Sequence, residues 1–449
     1  MKFKKTTIDS SQEYGVTSIQ LLTIFSIMSA FLLLLQFNSL ALILFFLTYI
    51  LFLGVITGKY HSLILFSFGV VVAIITYHYW IEFYGSEYFL GRQSDDWQYD
   101  VLWAPGYIQD YGWSYINIVD HLNTIERGLG LSHNSKGYIF FISVLQFLSE
   151  QVDIYHTLIA RITNIFFLVL TGFFAQKIYE LICNDRKSWM VSVSISLYPV
   201  LLFNSVHVFR DTIIMFLMVY FVFILVKNKH KILRLRSAFI LITCLAIMLT
   251  MRTASFLLLL GIMTIYFWIY IFSKRQKWIL SLLVVSLISV ILEQEIVKLV
   301  LSSVAKYTEL NQNRFGSVGS KIFELPIEFG VIPRMLYLIL TPVPNFSSLH
   351  QAITSMSAII QFLSVPLLLS VISKAHGDIR FISYIFIMIF MGVALSTATF
   401  RHVMMYIPFG IILVKYELYK RHSFPTWGYS NQVILFSFFS AFILILLYI

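Results

Sequence analysis

Long apolar runs with almost no charge alternate with short polar loops along the whole chain. Runs that read as membrane spans lie at 16–36, 39–57, 61–80, 156–182, 189–206, 211–226, 237–251, 254–273, 278–296, 352–373, 380–398, 403–418 and 430–449. A helix needs about 20 apolar residues to cross a bilayer, and lipid accepts only backbone whose hydrogen bonds are closed internally. The pattern therefore predicts an all-α polytopic membrane protein of about 13 transmembrane helices, one transmembrane domain over 1–449.

The polar loops set the orientation. Lys2, Lys4, Lys5 and Lys59 precede or follow early spans, and Arg186, Lys187, KNKHKILRLR (227–236), KRQK (274–277), Lys374, Arg380 and YELYKRH (416–422) follow later ones. Basic loops favour the cytoplasm. All fall on that side if YIFFISVLQFLSEQ (138–151) does not cross. At about 14 residues it is short for a span, and it reads as a juxtamembrane helix on the outer face. The expectation is a multi-pass protein of the cytoplasmic (inner) membrane, N-terminus inside and C-terminus outside. Two extracytoplasmic loops follow, at 81–155 and 297–351. The first apolar run is long and lacks a cleavage signature, so it reads as an anchor.

Composition agrees. Of 449 residues, 59% are hydrophobic and 12% charged, against about 25% charged in soluble domains. The net charge of +10 would suit nucleic acid, but it sits in short inter-helix loops, so no nucleic-acid partner is expected. Cys183 and Cys244 are the two cysteines, which gives no disulfide framework or thiolate metal site.

Within the first outer loop, GRQSDDWQYDVLW (91–103) gathers Asp95, Asp96 and Asp100 among aromatics. Adjacent carboxylates raise each other's pKa, and one can serve as general base toward a hydroxyl. Asp96 is the preferred base, with Asp95 second, and Trp97 and Tyr99 offer rings for a sugar. The plain alternative is a solvated acidic loop. Arg210, Arg252 and Arg401 sit at helix ends on the same expected side, and Arg161 lies one turn inside a span. Charges so placed usually face a cavity, and a guanidinium fork fits phosphate oxygens. The group therefore reads as a lipid-phosphate clamp, against snorkelling or pairing with Asp211 or Asp153. His133, Lys136, Asp211 and Arg334 complete the expected substrate contacts. In the second loop GSVGS (316–320) reads as a flexible turn, and MLYLIL, stopped by Pro342 and Pro344, as a surface or re-entrant helix. Asp95, Asp96 and His133 also have the donor chemistry for a divalent cation. The expectation is nonetheless that no metal or other cofactor is required. No HExxH or nucleophile-elbow pattern occurs.

Several stretches, in this order, resemble the GT-C superfamily of membrane glycosyltransferases: SDDWQY; HNSKGYIFFISVLQFL with YHTLIARITNIFFLVL; SLYPVLLFNSVHVFRDTIIMFL; LTMRTASFLL; ILTPVPN; and FRHVMMYIPFGIIL. They cover about half the chain, mostly 90–260. Lys136 and Thr253 stand where the family has Pro, and three spans precede the acidic loop where the family has one. The resemblance implies an extracytoplasmic active site, an acidic base and arginines at the lipid phosphate. The expected function is transfer of a sugar from a polyprenyl-(pyro)phosphate donor to a cell-surface glycan or lipid acceptor. The alternatives are an O-antigen or capsule repeat-unit polymerase, and a non-enzymatic transporter or flippase of lipid-linked sugars. A transporter would carry charges through the midplane, whereas the centres of most spans here are charge-free.

Overall fold

The computed structural model describes residues 10–89, 95–129, 135–183, 185, 187–229, 235–272, 334–336, 338–339, 348–396 and 401–420; side chains are described for these apart from 10–17, 95, 118, 124–129 and 395–396. The expected spans at 278–296 and 430–449, the GSVGS turn and most of the second loop lie outside the described residues, as does His133. The described residues are helical, with no strand among them. Seven of their helices are long and apolar enough to cross a membrane. The chain is an all-α, multi-pass membrane protein.

The exposed surfaces of the spans make the same point physically. Helix α2 (Leu40–Thr57) has only 28% of its residues buried, and Leu51 and Val55 on it are 70% and 84% exposed. Apolar surface on that scale is what a lipid-facing helix presents. Helix α2 has clean ends. The Ser39 hydroxyl accepts the Leu42 N–H (3.3 Å), and Gly58 closes the other end in the left-handed region at φ 57°, a conformation glycine adopts without strain.

Two compact units make up the chain, residues 1–173 with 202–213 and residues 174–201 with 214–449. In the first, α1 (Ser10–Leu35) and α2 pack on α3 (Tyr60–Tyr84). A short helix, α4 (Asp95–Trp97), runs into a π-helical turn, Gln98–Trp103. Then come α5 (Tyr107–Tyr111), α6 (Tyr115–Leu129) and α7 (Lys136–Glu150). Helix α7 packs on the π turn, α5, α6 and α2. At 15 residues it is shorter than a span requires. Helix α8 (Leu158–Ile182) follows. It is 89% buried across its apolar stretch, as expected of a helix that is apolar on all sides. Gly69 of α3 lets α8 approach closely: a Cβ there would lie 2.5 Å from the Ile165 γ-methyl.

The expected single run at 189–206 is two helices, α9 (Trp189–Ser196) and α10 (Pro199–Ser205). Pro199 brings no N–H and disfavours helical backbone at Tyr198 before it, so the run breaks there. Helix α11 (Asp211–Lys227) has 17 residues, as does α12 (Leu235–Met251), somewhat under the roughly 20 that a perpendicular span needs.

In the second unit, α12, α13 (Thr253–Tyr266), α14 (Leu349–Ser373), α15 (Gly377–Ser396) and α16 (Ile407–Lys420) pack in sequence-adjacent and longer-range pairs, and α9 packs on α16. Lys229 pairs with Asp378, and the Tyr270 hydroxyl donates to the same carboxylate at 2.7 Å. Lys415 lies 3.6 Å from Asp185. Each of these contacts joins helix ends that border basic loops.

Candidate functional site

The acidic loop of the first unit is held by buried polar contacts. The Gln146 amide on α7 donates to the Asp100 carbonyl (2.7 Å), and the Ser143 hydroxyl donates to the Ala104 carbonyl (2.9 Å). The Tyr99 and Ser135 hydroxyls bond at 3.0 Å. A carbonyl in a π turn is not matched by the ordinary i+4 ladder, and such turns recur at functional sites. Here they aim two carboxylates, four residues apart, into different surroundings.

Asp96 is fully buried. Its Oδ2 accepts the Phe89 N–H (2.9 Å), its Oδ1 accepts the Trp97 N–H (3.1 Å), and His207 Nδ1 lies 3.9 Å from Oδ2. The His207 ring is itself buried among Trp80, Phe89, Phe203 and Phe209, with centroids 4.8–5.9 Å away. The Asn164 amide donates to the carbonyls of His207 (2.7 Å) and Phe209 (3.1 Å). The turn that carries Arg210 is therefore fastened to the same end of the unit as the acidic loop.

Asp100 lines an open cleft of about 610 Å³. The Tyr88 hydroxyl donates to its Oδ2 (2.9 Å) and the Tyr155 hydroxyl to its Oδ1 (2.5 Å). Burial raises its carboxyl pKa above the ordinary value of 3.8; hydrogen bonds, led by that of Tyr155, and the Arg161 charge pull the other way without cancelling it. Burial and the neighbouring carboxylate push both tyrosine hydroxyls upward, so they remain donors. His156, also on the cleft wall, is lowered to about 4 by burial and then by Arg161, which leaves it uncharged at neutral pH.

Arg161 is fully buried in the first turn of α8. Its Nη2 donates to the Glu87 carbonyl, and its guanidinium carbon lies 5.6 Å from the Tyr77 ring centroid. Its Nε and Nη1 have no hydrogen-bond partner among the described residues. A buried cation with open donors is costly, and its fork matches a phosphate or carboxylate.

Of the other expected residues, Trp97 is half-buried and Tyr99 buried beside the acidic pair. Lys136 begins α7 and donates to the Asn123 side chain. Arg210 is half-buried, and Asp211 is buried at the first residue of α11, where a carboxylate favours the helix dipole. The Asp95 side chain lies outside the described residues. Arg252 sits in the extended break between α12 and α13, Arg401 opens a 3-10 turn (His402–Met405), and Arg334 is buried; all three belong to the second unit.

The residues that sequence reasoning passed over are Tyr88, Tyr155, Gln146 and the role of Asp100. The available signal was the YHTLIAR stretch, which sets Tyr155 and His156 just before Arg161. Among the described residues no group of three or more His, Cys, Asp or Glu side chains is arranged to hold a metal ion. Compared with protein-family models, curated proteins and solved structures, the chain matches none.

Proposed function

We propose that the protein is a membrane glycosyltransferase whose donor is a sugar on a polyprenyl phosphate or pyrophosphate and whose acceptor is a hydroxyl of a surface glycan or lipid. One observation carries this reading. A cleft carboxylate with a raised pKa, Asp100, stands within electrostatic reach of a fully buried arginine with two open N–H donors. Glycosyl transfer from a lipid phosphate needs both a base and an anion anchor.

In this reading the acceptor oxygen attacks the anomeric carbon and its proton passes to the Asp100 carboxylate. The bond from that carbon to the phosphate oxygen breaks, and its electron pair leaves with the lipid phosphate. Arg161 receives the charge that grows there. Asp100 replaces Asp96 as the preferred base because Asp100 lines the cleft and Asp96 does not; Asp96 instead accepts the Phe89 and Trp97 N–H groups. A raised carboxyl pKa also makes a stronger base near neutral pH. The lipid tail of such a donor stays in the bilayer that the exposed apolar helices require.

The test uses the full chain in lipid vesicles with polyprenyl-phosphate sugars and with lipid-linked oligosaccharide repeat units. Release of polyprenyl phosphate, abolished in Asp100→Asn, supports transfer. Consumption of the repeat unit instead assigns a polymerase. Lipid-linked sugar carried across intact, with no bond broken, overturns the reading in favour of a transporter.

A further inference from the structure

The cleft wall has a chemical bias that goes further than the presence of a base. Glu87, Asp100, Glu150 and Asp153 line it together with Gln146, and no lysine or arginine is among the described lining residues. Acidic side chains alone would describe any solvated rim. The independent observation is Gln146. It is 4% exposed, and its amide nitrogen is committed to the Asp100 carbonyl at 2.7 Å, which orients the group. Gln146 lines the cleft, and its buried Oε1 has no hydrogen-bond partner among the described residues. An unmet buried acceptor costs free energy until a donor reaches it.

From this we infer that the cleft selects a non-anionic saccharide, neutral or amino-bearing, held through its hydroxyl or ammonium donors, and rejects uronic or otherwise acidic sugars. The inference takes from the transfer reading only that the bound sugar is a substrate. The Glu87, Glu150 and Asp153 carboxylates on the lining are acceptors. The Glu150 carboxylate takes the Gln109 amide (2.6 Å), and Asp153 takes the Leu40 N–H (3.0 Å), so each has a further lone pair for a ligand. A sugar carboxylate placed there would meet like charge on several sides, with His156 uncharged and with Arg161, which answers the donor phosphate in the transfer reading, not among the described lining residues. The flanking rings of Tyr77 and Tyr155 supply apolar faces for the sugar's C–H side.

Binding is measured apart from catalysis, with the full chain in nanodiscs and methyl glycosides of glucose, glucosamine and glucuronic acid read by ligand-observed NMR. Glucose and glucosamine forms are expected to bind and the glucuronide to fail. Gln146→Met, which keeps the side-chain length and removes both the acceptor and the amide donor to the Asp100 carbonyl, weakens the two binders about tenfold; Asn164→Leu, a buried amide elsewhere in the unit, leaves them unchanged. The doubly neutralised variant Glu87→Gln with Glu150→Gln admits the glucuronide, and so does about 1 M salt, which shortens the screening length to about 3 Å. Glucuronide binding equal to that of glucose in the native protein overturns the inference, as does Gln146→Met leaving every affinity unchanged. If no glycoside binds at all, the inference also fails, whereas the transfer reading stands or falls separately on polyprenyl phosphate release. Circular dichroism and the melting temperature of each variant confirm that it is folded.

Discussion

Two sets of charges in this protein are treated in opposite ways. In the second unit, Asp378 meets Lys229 and the Tyr270 hydroxyl, and Lys415 meets Asp185, with these charged side chains 9–28% exposed. Each of these four charges has an opposite partner and some water. In the first unit, Arg161 is fully buried with two donors unmet, and Asp100 is held by two tyrosine hydroxyls while burial raises its pKa. A fold that needed only stability would pair these groups or replace them with apolar side chains. The difference separates charges that fasten helix ends from charges kept available for chemistry.

The largest predicted effect breaks the comparison at its centre. Asp100→Asn preserves size, keeps one tyrosine donor and turns the other contact around, and it removes the base, so transfer falls by about 10²–10⁴-fold. Asp378→Asn, its counterpart among the paired charges, leaves the transfer rate within about twofold. Rates of polyprenyl phosphate release from the two variants, at matched expression, decide it; equal losses would erase the distinction. Arg161→Gln comes next, with a fall of about 10²–10³-fold carried mainly by kcat, because the charge it answers develops as the bond breaks. A loss confined to KM would make Arg161 a ground-state contact.

A pH profile sharpens the same contrast. Folded Asp100 holds its proton to a higher pH than an ordinary aspartate, so the active, ionised fraction falls as pH drops through that raised value. The acidic limb of kcat/KM should therefore lie above the ordinary 3.8, and Asp100→Asn should abolish that limb. The linked effect on stability has the opposite sense. A raised folded pKa means stability is greatest below the unfolded value and declines as pH rises through the folded one. His156, lowered to about 4, is uncharged across the working range and contributes no limb near neutrality.

The membrane helices were legible because periodicity is irrelevant once a run is apolar throughout: length and flanking charge suffice for α2, α3 and α8. The run at 189–206 shows the limit, since its composition hides the break that Pro199 enforces at Tyr198. Arg161 was legible as a charge inside an apolar segment. The partners of Asp100 were not, because Tyr88 and Tyr155 lie 12 and 55 residues from it in sequence. A π turn joined to irregular chain leaves no repeat from which such pairings can be read. The difference between Asp96 and Asp100 likewise depends on which backbone N–H groups fold back onto each, which spacing alone does not encode.

Packing offers a milder test that leaves chemistry aside. Gly69→Ala puts a methyl 2.5 Å from the Ile165 γ-methyl. Isoleucine is stiff at χ1, so relief requires α3 and α8 to part, at about 1–3 kcal/mol. A lowered melting temperature is expected, and Ile165→Leu introduced alongside, which removes the Cβ-attached γ-methyl, should recover part of it. An unchanged temperature would mean that α3 shifts freely.

The smallest effect belongs to the paired charges. Lys229→Ala removes one partner of a partly exposed ion pair, and such pairs contribute about 0–1 kcal/mol after screening by water and salt. Tyr270 still donates to Asp378 at 2.7 Å, so the carboxylate is not stranded. Chemical or thermal denaturation in one detergent should show a shift near the limit of measurement, fading further in high salt. A loss of several kcal/mol would mean that this pair, although partly open to water, behaves as a buried one. The contrast between fastening charges and chemical charges would then rest on position alone and no longer on exposure.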